Sequence, residues 1–325
     1  LGMSWNNIPS PYGTAISALT LDDNEIVLTA TPGAAGTAPS VALSPYYTVD
    51  NRAVTVAGGK TDLNADRLPF ERVIRLTGTI AAGAAPEPVR LGIDDPAHYA
   101  AWRLKSLLEA RGVRVSGTVG VRHRLTGPGD DPAKRGALVA RPPRPEPLAK
   151  LTPPPLIEDL ILTNKVSQNL HAELFNRRLG LAVGTGSAED GHAVIAAMLA
   201  KAGVPRTGWD FSDGSGMSPY NRLAPRAVAT FLKWAAAQPW AVTYRSTLPI
   251  GGVDGTLGSR FKGTLLEGKI FAKTGTLNAT NALSGYMTAK SGRTLTFSMY
   301  ANDVPSGANA RAIMDKALVL VAEEN

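Results

Sequence analysis

The sequence predicts an α+β chain in which a β-rich first part precedes a second part built of helices and one small sheet. Three observations carry that reading. Up to about residue 140, short β-type runs alternate with turn signals. Four helical patterns then follow one another between 155 and 238. Three closely spaced β-type runs and a closing helix complete the chain, an order that predicts an antiparallel meander with helices on one face.

In the first part, residues 25–29, 73–76 and 113–115 have strand character, punctuated by Pro32-Gly33, Gly58-Gly59 and Gly127-Pro128-Gly129. One helix interrupts them. After Asp95-Pro96, the apolar positions Tyr99, Trp102, Leu104, Leu107 and Leu108 recur at helical spacing until Gly112 stops the run. The stretch Arg141-Pro142-Pro143-Arg144-Pro145-Glu146-Pro147 suits a domain crossing, so the expected division is 1–148 and 149–325.

Beyond the crossing, Leu156, Ile157, Leu160 and Ile161 share one helical face, and Leu170, Leu174 and Leu179 another. Two more helices are expected over 189–203 and 225–238, and strands over 269–274, 282–289 and 294–301. A final helix over 308–323 presents Ile313, Met314, Ala317, Leu318 and Val321 on one side.

Composition narrows the function classes. With 44% hydrophobic and 19% charged residues, a sizeable core is available and wholesale disorder is excluded. A net charge of +7 favours an acidic partner, whether nucleic acid, anionic lipid or an anionic cell wall, although a basic proteome gives the same balance. No dense Lys/Arg run with interleaved aromatics is present, which counts against nucleic acid. The absence of cysteine removes disulfides, thiolate zinc sites and a Cys nucleophile, and fits an exported protein. His98, His123, His171 and His192 lack metal-ligand spacing and no phosphate-binding loop occurs, so neither a metal nor another cofactor is expected. No apolar run reaches transmembrane length and no signal peptide is present in these residues. The opening Leu1-Gly2-Met3-Ser4-Trp5 reads like the middle of a fold, so the expectation is a chain that starts late.

The sharpest chemical signal is Lys273-Thr274-Gly275-Thr276, at the end of an apolar run. A specified tripeptide arises by chance in about one chain of this size in twenty-five. Lysine at a strand edge offers a fixed positive charge, Gly275 lets a ligand backbone lie against the strand, and the two threonines supply hydroxyl donors for a carboxylate. An ordinary strand end is the alternative. A second signal is Ser167-Gln168-Asn169, at a break between two helical stretches. An S-x-N string is common, as Ser4-Trp5-Asn6 shows, and a helix N-cap is the competing explanation. Tyr300-Ala301-Asn302 reads as strand core plus a turn, and Asp213-Gly214-Ser215-Gly216 either lines a cleft or makes a Gly-rich turn.

In this order, about a hundred residues apart, the two signals resemble the second and third motifs of the serine D,D-peptidase and β-lactamase superfamily. Longer strings narrow the likeness. Asn164-Lys165-x-Ser167-x-Asn169-Leu170-x-Ala172-Glu173, Asp213-Gly214-Ser215-Gly216, Asp254-Gly255-Thr256-Leu257 and Ala272-Lys273-Thr274-Gly275-Thr276-Leu277 resemble the D-alanyl-D-alanine carboxypeptidase/endopeptidase family, the low-molecular-mass class C penicillin-binding proteins. Leu19-x-Leu21-x-x-Asn24 and Asp95-Pro96-x-x-Tyr99 resemble that family's inserted domains. The resemblance implies a β-lactamase/transpeptidase-like domain, incomplete at its N-terminal part and preceded by β-rich inserted domains. It implies Ser167, Asn169 and Lys273 as catalytic residues and Thr274, Gly275 and Thr276 as substrate-binding residues. The partners it implies are peptidoglycan peptides ending in D-Ala-D-Ala, with β-lactams as inhibitors. Its setting would be the cell wall, periplasmic or extracellular.

In that superfamily the attacking serine lies in S-x-x-K, ahead of the other motifs. The match in this chain, Ser259-Arg260-Phe261-Lys262, falls between the second and third motifs and so is expected to be fortuitous. The expectation is an N-terminally truncated, inactive peptidase chain. A homologue that binds or scaffolds peptidoglycan without catalysis is the alternative, and a β-lactamase is disfavoured by the large first half.

Overall fold

A computed structural model describes residues 7–325 apart from Pro142, Arg144 and Asn278. The opening five residues and the Ser4-Trp5-Asn6 string therefore lie outside the described residues, as do two positions of the Pro-rich stretch. The chain separates into two compact units, one extending to Leu125 and one from Thr126 to Asn325.

The first unit holds two sheets and one helix. Strands β1 (Glu25–Thr31), β2 (Ser40–Ala42), β3 (Thr48–Asn51), β4 (Val54–Val56), β5 (Asp62–Asp66), β6 (Val73–Ala81) and β7 (Glu87–Gly92) precede α1 (Pro96–Glu109). Strand β1 pairs antiparallel with β2 and β7, whereas β6 pairs parallel with β3 and β4 and antiparallel with β5. Period-two alternation buries Ile26, Leu28 and Ala30 of β1 and Ile74, Leu76 and Ile80 of β6 in one core with Tyr46, Tyr47 and Tyr99. Asp95 caps α1 by accepting from the His98 N–H at 3.0 Å, and Pro96 stands at its first turn, as the Asp-Pro signal predicts. The strand expected at 113–115 does not form. Gly112 turns the chain at φ +81°, and residues 113–116 join neither sheet, because alternation offers a face but no pairing edge.

The second unit begins upstream of the expected crossing. Arg135 pairs with the fully buried Asp190, Ser187 Oγ donates to Asp130 O at 2.6 Å, and Arg141 donates to Leu181 O at 3.1 Å. These ties fasten the residues after Thr126 to α3 (Asn169–Val183) and α4 (Ala188–Lys201), which follow α2 (Leu156–Val166). A two-residue hairpin of β8 (Trp209–Asp210) and β9 (Arg222–Leu223) leads to α5 (Pro225–Ala236) and α6 (Ala241–Thr247). Strands β10 (Ile270–Leu277), β11 (Thr280–Thr288) and β12 (Thr294–Ala301) form an antiparallel sheet in that order, and α7 (Ala310–Glu323) closes the chain.

Helices cover both faces of this sheet, where one face was expected. Ile270, Ala272, Leu283 and Met287 pack with Met314, Leu318 and Ala322 of α7. On the opposite face Tyr286 and Phe271 meet Leu232 and Val228 of α5 and Tyr244 of α6, and Tyr286 donates its hydroxyl to Leu232 O at 2.8 Å. The contiguous buried run Gly285-Tyr286-Met287 is the sequence signature of a strand covered twice. On α7 the buried stripe is Met314, Leu318 and Ala322, while Ile313 and Val321 are exposed. No helix among the described residues is long and apolar enough to cross a membrane.

Gly285 lies at the centre of the sheet, where a Cβ would overlap the Phe271 carbonyl oxygen and crowd Ala272. Gly285→Ala is expected to cost about 1–3 kcal/mol in urea unfolding, since β10 cannot move aside without leaving β11.

Candidate active site

Two chain segments meet at the site. Helix α2 ends on Ser167, whose backbone takes the left-handed conformation at φ +64°, uncommon for a residue with a Cβ. One residue later Gln168 caps α3, its side-chain oxygen accepting from the Leu170 N–H at 3.2 Å. The helix N-cap in this string is thus the middle residue, while Ser167 is the C-cap of α2 and Asn169 the first residue of α3. Asn169, half-buried, opens α3 two residues beyond Ser167.

The second segment is β10, an edge strand. Ala272 N–H donates away from β11 to Pro249 O at 3.0 Å. Strand periodicity then turns the backbone N–H of Thr274 and of Thr276 toward the same edge. Residues 249–251 cover the first half of that edge, with Gly251 N–H donating to Ile270 O at 3.0 Å, while Gly275 and Thr276 are exposed.

Lys273 joins the two segments. Its Nζ donates to Ser167 Oγ at 2.7 Å and to Thr274 O at 2.9 Å. Burial pushes its pKa down to about 8, because the ammonium loses water. The structure therefore brings together Ser167, Lys273 and Thr274, and leaves Gly275 and Thr276 along the open edge beside them.

The surrounding strings are also built into the site. Lys165 Nζ bonds both Asp254 oxygens at 2.8 and 2.7 Å. Thr274 Oγ1 donates to Thr256 Oγ1 at 2.8 Å. The half-buried loop 213–216 is fixed from α3: Glu173 Oε1 accepts from Gly214 N–H at 2.9 Å, Ser215 N–H at 3.0 Å and Ser215 Oγ at 2.9 Å. Lys165, Thr256, Asp254 and Glu173 carry no role that the sequence alone assigns, although all four lie inside the strings that carry the family resemblance. Ser259 of the out-of-place S-x-x-K is exposed in a loop, and Lys262 is exposed as well. Between them Arg260 pairs with Asp315 of α7, and Phe261 is buried against the sheet core. Tyr300 is a β12 residue paired with Ala282, in a strand as expected but half-buried rather than in the core.

A family model described as the D-Ala-D-Ala carboxypeptidase 3 (S13) family matches residues 1–324. The chain belongs to that family. It is 35% identical over 331 aligned residues to a D-alanyl-D-alanine carboxypeptidase of Actinomadura sp., an alignment covering 97% of this chain and 59% of that protein. The chain thus spans less than two thirds of that relative's length. Penicillin binding protein 4 of Haemophilus influenzae superposes with a TM-score of 0.79 at 22% identity, covering 100% of this chain and 71% of that one. The same protein complexed with a novel β-lactam gives a TM-score of 0.74 at 21% identity, covering 96% and 72%. The fold is accordingly that of the penicillin-binding protein 4 structures, a transpeptidase-like domain of helices on an antiparallel sheet together with a β-rich unit.

The Lys273 environment has a measurable consequence. The folded state holds this proton less tightly than the unfolded chain, whose lysine titrates near 10.5. Between about pH 8 and 10.5 the unfolded chain binds more protons, so this group makes stability rise with pH across that window. Lysine-selective 13C NMR of this chain is expected to show one Cε resonance with a midpoint near pH 8, absent in Lys273→Met.

Proposed function

We propose that the chain carries the carboxylate-binding and proton-relay machinery of a serine D-Ala-D-Ala carboxypeptidase/endopeptidase acting on peptidoglycan stem peptides through an acyl-enzyme. The supporting observation is the 2.7 Å bond from Lys273 to Ser167 Oγ beside an open strand edge. In this reading the substrate backbone lies along Gly275 and Thr276. Its terminal carboxylate is held by the Lys273 charge and the hydroxyls of Thr274 and Thr276.

A nucleophilic serine attacks the carbonyl carbon of the penultimate D-Ala. The negative oxygen of the tetrahedral intermediate takes a hydrogen bond from the Thr276 N–H, one of two oxyanion donors. As the C–N bond breaks, the proton released by the attacking hydroxyl is relayed through Ser167, which takes up one proton as it gives another to the leaving amine, and Lys273, hydrogen-bonded to Ser167 Oγ, orients that hydroxyl. Asn169 bonds the substrate amide. Water then hydrolyses the ester, and a β-lactam enters the same cleft as a mimic of the dipeptide. The acylating serine is read as part of an S-x-x-K segment other than 259–262, since that string falls between the second and third motifs and both Ser259 and Lys262 are exposed.

The β-rich first unit is read as the family's inserted domain and the second unit as the penicillin-binding domain. The setting is the cell wall, in the periplasm or outside the cell. A homologue that only bound wall peptides would need the cationic cradle but not a serine hydroxyl bonded to its lysine at 2.7 Å, and that bond supports catalysis over mere binding.

Two experiments test this reading. The 325-residue chain is expected to form no covalent adduct with labelled penicillin, and a stable adduct on Ser259 or Ser167 would overturn the assignment. In protein that also carries the family's S-x-x-K segment, Lys273→Ala is expected to slow acylation by about 100-fold or more. Unchanged acylation would remove Lys273 from its role.

A further inference from the structure

Among the described residues, helix α2, which ends on Ser167, buries little of its own surface. Thr163 is its one buried residue, and Leu156, Leu162 and Val166 are exposed. Its last turn is instead held by polar ties, Asn164 Nδ2 donating to Thr247 Oγ1 at 2.7 Å and Lys165 to Asp254. The pair is not an ordinary surface contact. Lys165 is only 14% exposed, both Asp254 oxygens are engaged, and Asp254 Oδ1 additionally accepts from the Ile250 N–H at 2.9 Å.

The segment that bears Asp254 is itself fastened to β10. Pro249 O, Gly251 N–H and Thr256 Oγ1 bond to Ala272, Ile270 and Thr274 respectively. Gly255, at φ +56°, lets this strap lie directly on α2, because a Cβ there would come within 2.6 Å of the Lys165 carbonyl oxygen. Residues 249–257 thus form a strap between the strand that carries Lys273 and the helix turn that carries Ser167.

We propose that Asp254 is a positioning residue: by gripping Lys165 it fixes the last turn of α2 to β10 and so sets the Ser167–Lys273 contact. This rests on the reading that Ser167 and Lys273 form the proton relay. Asp254 touches neither substrate nor reacting atoms in that scheme. Its effect is transmitted through Val166, the single residue between Lys165 and Ser167.

The decisive variant is Asp254→Asn, which keeps shape and removes the charge. Loss of a negative charge by itself would lower the Lys273 midpoint, whereas a loosened α2 admits water and raises it toward the ordinary lysine value. Lysine-selective 13C NMR of the 325-residue chain is expected to show a rise of about half a pH unit or more. Leu199→Ala, in a separate core cluster, serves as the control of matched instability and is expected to leave the midpoint unchanged. A midpoint that stays or falls in Asp254→Asn would overturn the proposal.

Should that variant unfold, Lys165→Met retains the bulk of the stem. It is expected to speed hydrogen exchange at the Ser167 and Gln168 amides, which both donate to Thr163 O, by about tenfold, and unchanged protection would count against the strap. In protein carrying the S-x-x-K segment, Asp254→Asn is expected to reduce penicillin acylation about tenfold or more. If Ser167→Ala and Lys273→Ala leave acylation intact, the relay reading fails and the NMR result still judges the strap. If those two abolish acylation and Asp254→Asn does not alter it, the positioning role alone fails.

Discussion

The hydrogen bond from Lys273 Nζ to Ser167 Oγ joins residues 106 positions apart, and the arrangement of the second unit can be read as what that bond requires. A buried ammonium is costly, and here it donates to a hydroxyl and a carbonyl, both neutral. The drop from 10.5 to about 8 corresponds to a penalty on the order of 3 kcal/mol at neutral pH. A penalty of that size persists only if both partners are held too firmly to drift apart and let water in. Strand β10 meets this condition through an eight-pair register with β11 on one side and the 249–251 backbone on the other. Helix α2 lacks comparable packing and meets it with polar ties.

The two lysines of the site are treated in opposite ways, and the contrast is instructive. Lys165 receives a bidentate carboxylate within the chain, so its charge is spent on holding a helix turn in place. Lys273 donates to neutral acceptors. On the proposed reading its counter-charge is the substrate's terminal carboxylate, whose arrival favours the protonated amine. Exchanging the two roles would need no change in residue type, only a carboxylate moved from one lysine to the other. On that reading geometry, not composition, separates the structural cation from the functional one.

Much of this was legible in the sequence because the signals were redundant. Helix α1 is marked by a capping Asp95, a first-turn Pro96 and a stop at Gly112, all of which the structure uses. The three C-terminal strands are bounded by turn residues and emerge within a few positions of the expected ranges. What failed had weaker local chemistry. The short helix α6 was missed because Val242, Thr243 and Thr247 are β-branched and Trp240 is no strong cap, so tertiary contact to α2 and Trp234 decides its shape. The second covered face of the sheet was missed because a buried run of three residues in β11 is too short to stand out. At the site, the strings flagged Ser167 and Lys273, but spacing cannot reveal that Asp254 closes on Lys165 across 89 residues.

The open half of β10 remains to be explained as a physical object, since an unpaired strand edge invites association with other chains. Several features keep this one harmless. It is short, because the 249–251 segment already occupies the edge as far as Ala272, leaving little beyond Thr274 exposed. Thr274 O is occupied by the Lys273 amine, which removes one of the few acceptors on offer. Gly275 has no side chain to strengthen pairing, and a charged ammonium beside the edge disfavours an apolar strand. What survives is an edge of two or three residues whose Thr274 and Thr276 N–H groups point outward beside a cation. Such an edge is too short to stabilise a foreign strand, and on the proposed reading it takes an extended dipeptide ending in a carboxylate. In that reading the same restrictions that protect the fold from aggregation define the size and charge of the ligand.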